Sequence, residues 1–154
     1  LAAAAAALVC GVDPDHVATG LGQASLSPWR MALVRAASGA LVLNDAYNAN
    51  PASVASALRA LAELDATRRI AVLGTMAELG QVSAEEHRRA AALAHELGIQ
   101  VVAVGEAGYG PEPVTGVEEA LAALGQVGEG DAVLVKGSRV AGLERLAARL
   151  LDQS

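Results

Sequence analysis

Four short aliphatic runs set the limits on what this chain can become. They are Ala40–Leu43, Arg69–Leu73, Ile99–Val104 and Asp131–Val135. Apolar runs of this length, without polar alternation, are expected of strands covered on both faces. Helical patterns lie between them. Pro51–Leu64 carries Val54, Leu58, Leu61 and Leu64 on one stripe, and further helices are expected from Ser83 to Gly98, from Thr115 to Leu124 and from Arg139 to Leu151. Strands joined by helical crossovers make a parallel sheet with helices on both faces. Arg30–Ala36 and the turn at Ser38-Gly39 add an N-terminal β-hairpin or edge strand. The expected fold class is therefore α/β, a Rossmann-like, mostly parallel sheet.

Local signals place the ends of these elements. Asn50-Pro51 reads as N-cap and first helical position, because proline lacks only an N–H that would be unpaired there. Ser83 with Glu86, and Thr115 with Glu118, have capping-box spacing. Glu106–Gly116 reads as a Gly/Pro-rich loop without a helix. Upstream, Ala-rich Leu1–Val9 has high helix propensity, and Asp13-Pro14 opens a short helix to about Leu21. Gly22–Trp29 mixes Gly, Ser and Pro without periodicity. Residues 1–22 therefore read as the tail of a preceding domain, 23–29 as a linker and 30–154 as the main domain.

Composition removes several function classes. Aromatics are 2% and Phe is absent, so the core must be aliphatic, and Cys10 in its Ala-rich stretch reads as a small core residue. A single cysteine excludes an intrachain disulfide and a cysteine-rich metal site. A net charge of −6 with no basic run argues against a nucleic-acid partner. Leu1–Val9 is too short to span a bilayer and has no basic flank. A chain without an initiator Met reads as a fragment of a cytoplasmic protein.

Chemistry concentrates in Leu41–Pro51. All three asparagines, Asn44, Asn48 and Asn50, fall there with Asp45 and Tyr47. Strand C-termini of an open α/β sheet are where ligands bind. A capped turn without a ligand would use the same residues, and spacing favours neither reading. The same edge would collect Thr75, Met76, Glu78, Glu106, Lys136, Ser138 and Arg139. Lys136 is the only lysine, which fits a specific use or a solvated loop cation. Ser138 fits an N-cap or, with the helix start, an anion contact. On residue type alone Glu78 is a loop carboxylate and His87 a helix-surface histidine. There is no G-x-x-x-x-G-K-[ST], G-x-G-x-x-G or H-E-x-x-H, and no metal site is expected from this chain.

Three ordered stretches resemble one family. Asn44-Asp-Ala-Tyr-Asn-Ala-Asn-Pro-Ala-Ser53, then Leu73-Gly-Thr-Met-Ala-Glu-Leu-Gly80 with His87, then Val133-Leu-Val-Lys-Gly-Ser-Arg139 with Leu143-Glu144, are similar to C-terminal-domain segments of Mur ligases. The closest pattern is the branch that adds D-Ala-D-Ala to UDP-N-acetylmuramoyl-tripeptide in peptidoglycan precursor synthesis. The resemblance covers about residues 30–151 and implies an ATP-dependent, peptide-bond-forming ligase working through an acyl phosphate. It makes residues 1–22 the tail of a central ATPase domain, which would hold the P-loop and the Mg²⁺ ligands, so the fragment would be inactive alone. By motif, Arg30, Asp45, Tyr47, Asn48 and Asn50 would bind the nucleotide. Lys136, Ser138, Arg139, Glu78 and His87 would serve the acceptor. Thr75 departs from the pattern, standing where the branch commonly carries an acid. A folylpolyglutamate-synthetase-like domain is the alternative within the ligases, although that group has a histidine where this chain has Asn48. A non-catalytic nucleotide- or small-acid-binding module is the alternative outside them.

Overall fold

The computed structural model describes residues 2–23, 29–110 and 112–152. The expected linker therefore lies largely outside the described residues. Among those residues the elements are α1 (Ala2–Val9), α2 (Pro14–Gly22), β1 (Ala32–Arg35), β2 (Leu41–Asp45), α3 (Pro51–Glu63), β3 (Arg68–Gly74), α4 (Ser83–Glu96), β4 (Gln100–Val104), α5 (Val117–Leu124), β5 (Asp131–Lys136) and α6 (Glu144–Asp152). The strands form one sheet in the order β1-β2-β5-β3-β4. β1 pairs antiparallel with β2, and the other pairings are parallel. The expected hairpin and parallel sheet are both present.

Alternate residues of each strand serve opposite faces. Val42, Ile70, Val72, Val133 and Val135 pack with Leu124 of α5 and Leu146 and Leu150 of α6. Leu43, Ala71, Leu73, Ala132 and Leu134 pack with Val54, Leu58 and Leu61 of α3 and Ala90 and Ala94 of α4. Chain direction explains the division. From β2 to β3 to β4 the chain moves across the sheet one way, with α3 and α4 on one face. It then returns to the middle for β5, and a crossover of the same hand puts α5 on the other face. β5 is flanked by strands on both sides, and Ala132–Val135 are completely buried.

Several local expectations are corrected. β2 runs two residues further than expected, so Asn44 and Asp45 are strand residues. β1 starts only at Ala32. The Ser83/Glu86 box does not form: Gly80–Val82 is a 3-10 turn that leads straight into α4, and no side chain caps it. The Thr115/Glu118 box fails as well. The Thr115 N–H donates instead to Glu119 Oε2 at 2.8 Å, while Glu118 pairs with Arg149. The loop after β4 contains a 3-10 turn, Ala107–Tyr109, capped by Glu106. The last helix is interrupted: Arg139–Ala141 is a 3-10 turn, Gly142 takes the left-handed φ of 63°, and α6 begins after it. Cys10 is exposed, not buried, since α1 and α2 bury none of their residues.

Candidate functional site

The sheet has a point where neighbouring strands send their connections to opposite faces. β2 leads to α3 on one face, while adjacent β5 leads to α6 on the other. Such divergence opens a crevice at the strand C-termini, the usual ligand position in open α/β sheets. Here the crevice lies between the Asp45–Asn50 segment and the Lys136–Arg139 segment.

A buried ion pair joins its walls. Asp45 and Lys136 are directly opposite in the parallel ladder. The Lys136 ammonium donates to Asp45 Oδ2 and, at 2.9 Å, to the Asn48 carbonyl. Asp45 Oδ1 accepts the Met31 N–H at 3.0 Å. Lys136 is 1% exposed, so the only lysine is neither a solvated cation nor a group in the open. It braces the polar loop from below, among the residues expected for the nucleotide.

The asparagines combine both sequence readings. Asn44 Oδ1 accepts from the Ala46 N–H, Asn48 Oδ1 from Ala49 and Asn50 Oδ1 from Ser53. Ser53 Oγ returns a bond by accepting the Asn50 N–H, which completes a capping box at the start of α3. Each amide oxygen is thus spent on the backbone, and each NH₂ is left as a donor. The loop is a capped turn that also presents N–H groups. Asn44 is itself buried, whereas Asn48 and Asn50 are both exposed, so their amide N–H groups face open space.

Tyr47 stands over the crevice with two guanidinium groups near its ring. Arg30 Cζ lies 4.0 Å from its ring centroid and Arg139 Cζ 5.8 Å, both within cation–π range. The Tyr47 N–H donates to the Trp29 carbonyl at 3.2 Å. Trp29 and Met31 have φ of 62° and 48°, conformations that side chains other than glycine adopt at some energetic cost. Bonds from Trp29 and Met31 to Tyr47 and Asp45 hold this entry segment in place. A cleft of about 430 Å³ results, lined by Arg30, Asp45, Tyr47, Asn48, Asn50 and Lys136 together with Met31, Ser53 and Ser56.

The remaining expected residues lie around β3. His87 is 0% exposed, which corrects its reading as a surface histidine. Its Nε2 accepts the Met76 N–H at 2.9 Å, so Nδ1 carries the proton and donates to the Ser83 carbonyl at 2.7 Å. Glu106 Oε2 is 3.7 Å from Nε2. The Tyr109 ring meets His87 edge-on, with 4.9 Å between centroids, and its hydroxyl donates to the Gly74 carbonyl at 3.0 Å. Burial, helped by the Glu106 charge, raises the Tyr109 phenol above its ordinary pKa. The Ser138 N–H donates to the Thr75 carbonyl at 2.9 Å. Three consecutive residues, Gly74, Thr75 and Met76, are thereby held by three other parts of the chain. Ser138 Oγ is buried with no hydrogen-bond partner and caps nothing. Glu78 is exposed on a left-handed backbone with φ of 66°, and no bond joins it to the rest of the set among the described residues.

Sequence reasoning missed Tyr109, Ser53 and Ser56. A rare aromatic in a chain with 2% aromatics was a signal for the first. The spacing Asn50, Ser53, Ser56 on the polar side of α3 was the signal for the others. Among the described residues no group of three or more His, Cys, Asp or Glu could hold a metal. Asp45, the carboxylate of the cleft, is taken by Lys136 and Met31, so this donor set does not fit a magnesium ion.

Comparison with known proteins places these features in context. Residues 29–139 match the family described as Mur ligase, glutamate ligase domain. A UDP-N-acetylmuramoyl-tripeptide--D-alanyl-D-alanine ligase of Mycobacterium bovis is 38% identical, over 98% of this chain and 36% of its own length. That of Escherichia coli K12 is 34% identical, over 99% of this chain and 36% of its own. Among solved structures, MurF from Acinetobacter baumannii superposes with a TM-score of 0.82 at 30% identity, over 99% of this chain and 36% of that one. MurF ligase from Thermotoga maritima, solved in complex with ADP, gives 0.78 at 25% identity, covering 95% of this chain and 35% of that one. The chain thus spans about a third of the length of the curated relatives it matches.

Proposed function

The chain belongs to the Mur ligase family, as a glutamate ligase domain, and we propose that it works as the C-terminal part of a ligase that joins D-Ala-D-Ala to UDP-N-acetylmuramoyl-tripeptide. In that reaction ATP phosphorylates the terminal carboxylate of the tripeptide. The dipeptide amine attacks the acyl phosphate, and inorganic phosphate leaves. Residues 1–22 would close the preceding ATPase domain, and the phosphate loop and magnesium ligands would lie there. The work belongs in the cytoplasm, where ATP is available.

One observation carries this reading. The crevice between β2 and β5 brings the Asp45–Asn50 segment and the Lys136–Arg139 segment together through the Asp45–Lys136 pair. The amides of Asn48 and Asn50 supply donors for the ring nitrogens and ribose oxygens of a nucleotide. Asp45 has lone pairs beyond the two it uses here and can accept from a ribose hydroxyl. Lys136 supports this loop instead of meeting the acceptor. On the acceptor side stand Arg139, whose guanidinium suits a carboxylate, and the β3 end fixed by His87 and Ser138. Glu78 is exposed and has no part in this reading.

Phosphate release by the intact ligase tests the reading. ATP, Mg²⁺ and UDP-N-acetylmuramoyl-tripeptide are supplied with and without D-Ala-D-Ala. Release is expected only with the dipeptide, and Asp45→Ala is expected to raise the KM for ATP. No release with any amino-acid or dipeptide acceptor would leave the crevice a binding surface for a nucleotide or small acid.

A further inference from the structure

We infer that Arg30 and Arg139 act as one clamp on a single oxyanion, with the Tyr47 ring holding both guanidinium groups at the same place. This inference rests on the ligase reading and refines it, because motif resemblance alone would assign the two arginines to different substrates. The two cations come from distant parts of the chain, the segment before β1 and the turn after β5, yet both rest on the ring of Tyr47 at 4.0 and 5.8 Å.

Charge accounting supports a missing anion. The chain as a whole carries −6, and most of its cations are neutralised or bonded. Arg68 pairs with Asp131, Arg88 and Arg89 with Glu85 and Glu86, Arg149 with Glu118, and Lys136 with Asp45. The side chains of Arg30 and Arg139, like those of Arg59 and Arg145, have neither an ion pair nor a hydrogen bond among the described residues, and Arg30 and Arg139 are both exposed. What sets this pair apart is that both lie near the Tyr47 ring. Asp45 is the one carboxylate lining the cleft, and Lys136 occupies it. An aromatic face holds a guanidinium by its plane and leaves the N–H edge free. Paired edges of this kind suit an anion with several oxygens.

The position decides what class of anion this is. Arg30 lines the cleft with Asn48 and Asn50, while Arg139 follows Ser138, whose N–H is bonded to Thr75 at the end of β3. The clamp therefore stands where a nucleotide in the cleft and an acceptor beside β3 would meet. The shared chemistry is an oxyanion, which arises either from the phosphoryl group in transit or from the acceptor's terminal carboxylate.

Kinetics of the intact ligase test the clamp through Arg30→Ala, Arg139→Ala and the double variant, with exposed Arg145→Ala as control. Each single change is expected to lower kcat/KM by about 10²-fold, the loss typical of one oxyanion contact. The double variant is expected to fall little below the worse single, because the two act as a unit. A drop in kcat with the KM values of all three substrates kept identifies the phosphoryl group, and a rise in the KM for D-Ala-D-Ala alone identifies the carboxylate. Losses that multiply in the double variant, or single changes that move the KM of different substrates, would overturn the clamp. If the unmodified ligase shows no dipeptide-dependent release, the ligase reading fails on its own, and binding to this chain decides the clamp separately. Inorganic phosphate would then be titrated against the chain while the arginine Nε–H resonances are followed by NMR. Arg30 and Arg139 signals moving with one midpoint, lost together in Tyr47→Leu, support the clamp. Separate midpoints, or no selective movement, overturn it.

Discussion

Lys136 and Asp45 are directly opposite residues on adjacent parallel strands, and they form a buried ion pair at the C-terminal edge of the sheet. The pair also reaches the Asn48 carbonyl and the Met31 N–H. It therefore joins β2, β5, the polar loop and the entry to β1. Removing one partner strands the other charge, the expensive way to break such a pair.

Lys136→Met is expected to destabilise the domain by about 3–5 kcal/mol. Asp45→Leu combined with Lys136→Met should recover part of that loss, because no buried charge is left unpaired. Urea unfolding of the three proteins checks this. A Lys136→Met midpoint equal to that of the unmodified chain would mean that the ammonium is not held as described.

Tyr109→Phe keeps the ring against His87 and deletes only the hydroxyl that donates to the Gly74 carbonyl. The expected loss is about 1–2 kcal/mol, that of a buried acceptor left without its donor. The same change should loosen the β3 end, so hydrogen exchange at Met76 is expected to rise. An unchanged exchange rate there would show that His87 alone fixes the turn.

Gly74→Ala introduces a methyl group where there is no room. A Cβ at that position would lie 2.7 Å from the Ala141 Cβ and 3.1 Å from Leu143 Cδ1. Overpacking of this sort costs about 1–3 kcal/mol, and the combined change Gly74→Ala with Ala141→Gly should relieve it. Thermal unfolding of single and double variants is the measurement.

Acid should weaken the Arg68–Asp131 pair. Hydrogen bonding from Arg68 holds the Asp131 carboxyl below its ordinary pKa, and the Gly128 N–H adds to the effect. A depressed folded-state pKa stabilises the fold above the unfolded value of about 4. That contribution is lost as pH falls below it and through the folded-state value. Asp131→Asn should therefore be less stable than the unmodified chain at pH 7, and the gap should shrink toward pH 3. A gap independent of pH would assign the effect to the turn geometry alone.

The layered architecture was legible because each core strand is apolar throughout and each helix carries a stripe, as Val54, Leu58 and Leu61 do on α3. Strand order was not, since nothing in Asp131–Val135 says that the last strand enters the middle. The polar loop was legible as a concentration of hydrogen-bonding groups at a strand end, and the clustering of its asparagines fitted a capped turn as well as a ligand site. The two failed capping boxes show the limit of spacing rules. Ser83 has the right neighbour at the right distance, but the preceding 3-10 turn already supplies the helix with its first bonds. Lys136 was legible as special and not as buried, because its partner Asp45 is far away in sequence. The meeting of Arg30 and Arg139 on Tyr47 was invisible for the same reason.

Placing β5 between β2 and β3 also has a consequence for synthesis on the ribosome. The chain emerges as two ribbons, β1–β2 and β3–β4, joined through α3 but not hydrogen-bonded to each other, each with an unpaired edge facing the gap. Neither can satisfy that edge until Asp131–Lys136 has been made. The sheet therefore closes in one late event, and a stalled nascent chain ending before Asp131 is expected to be a chaperone client instead of a partly folded domain.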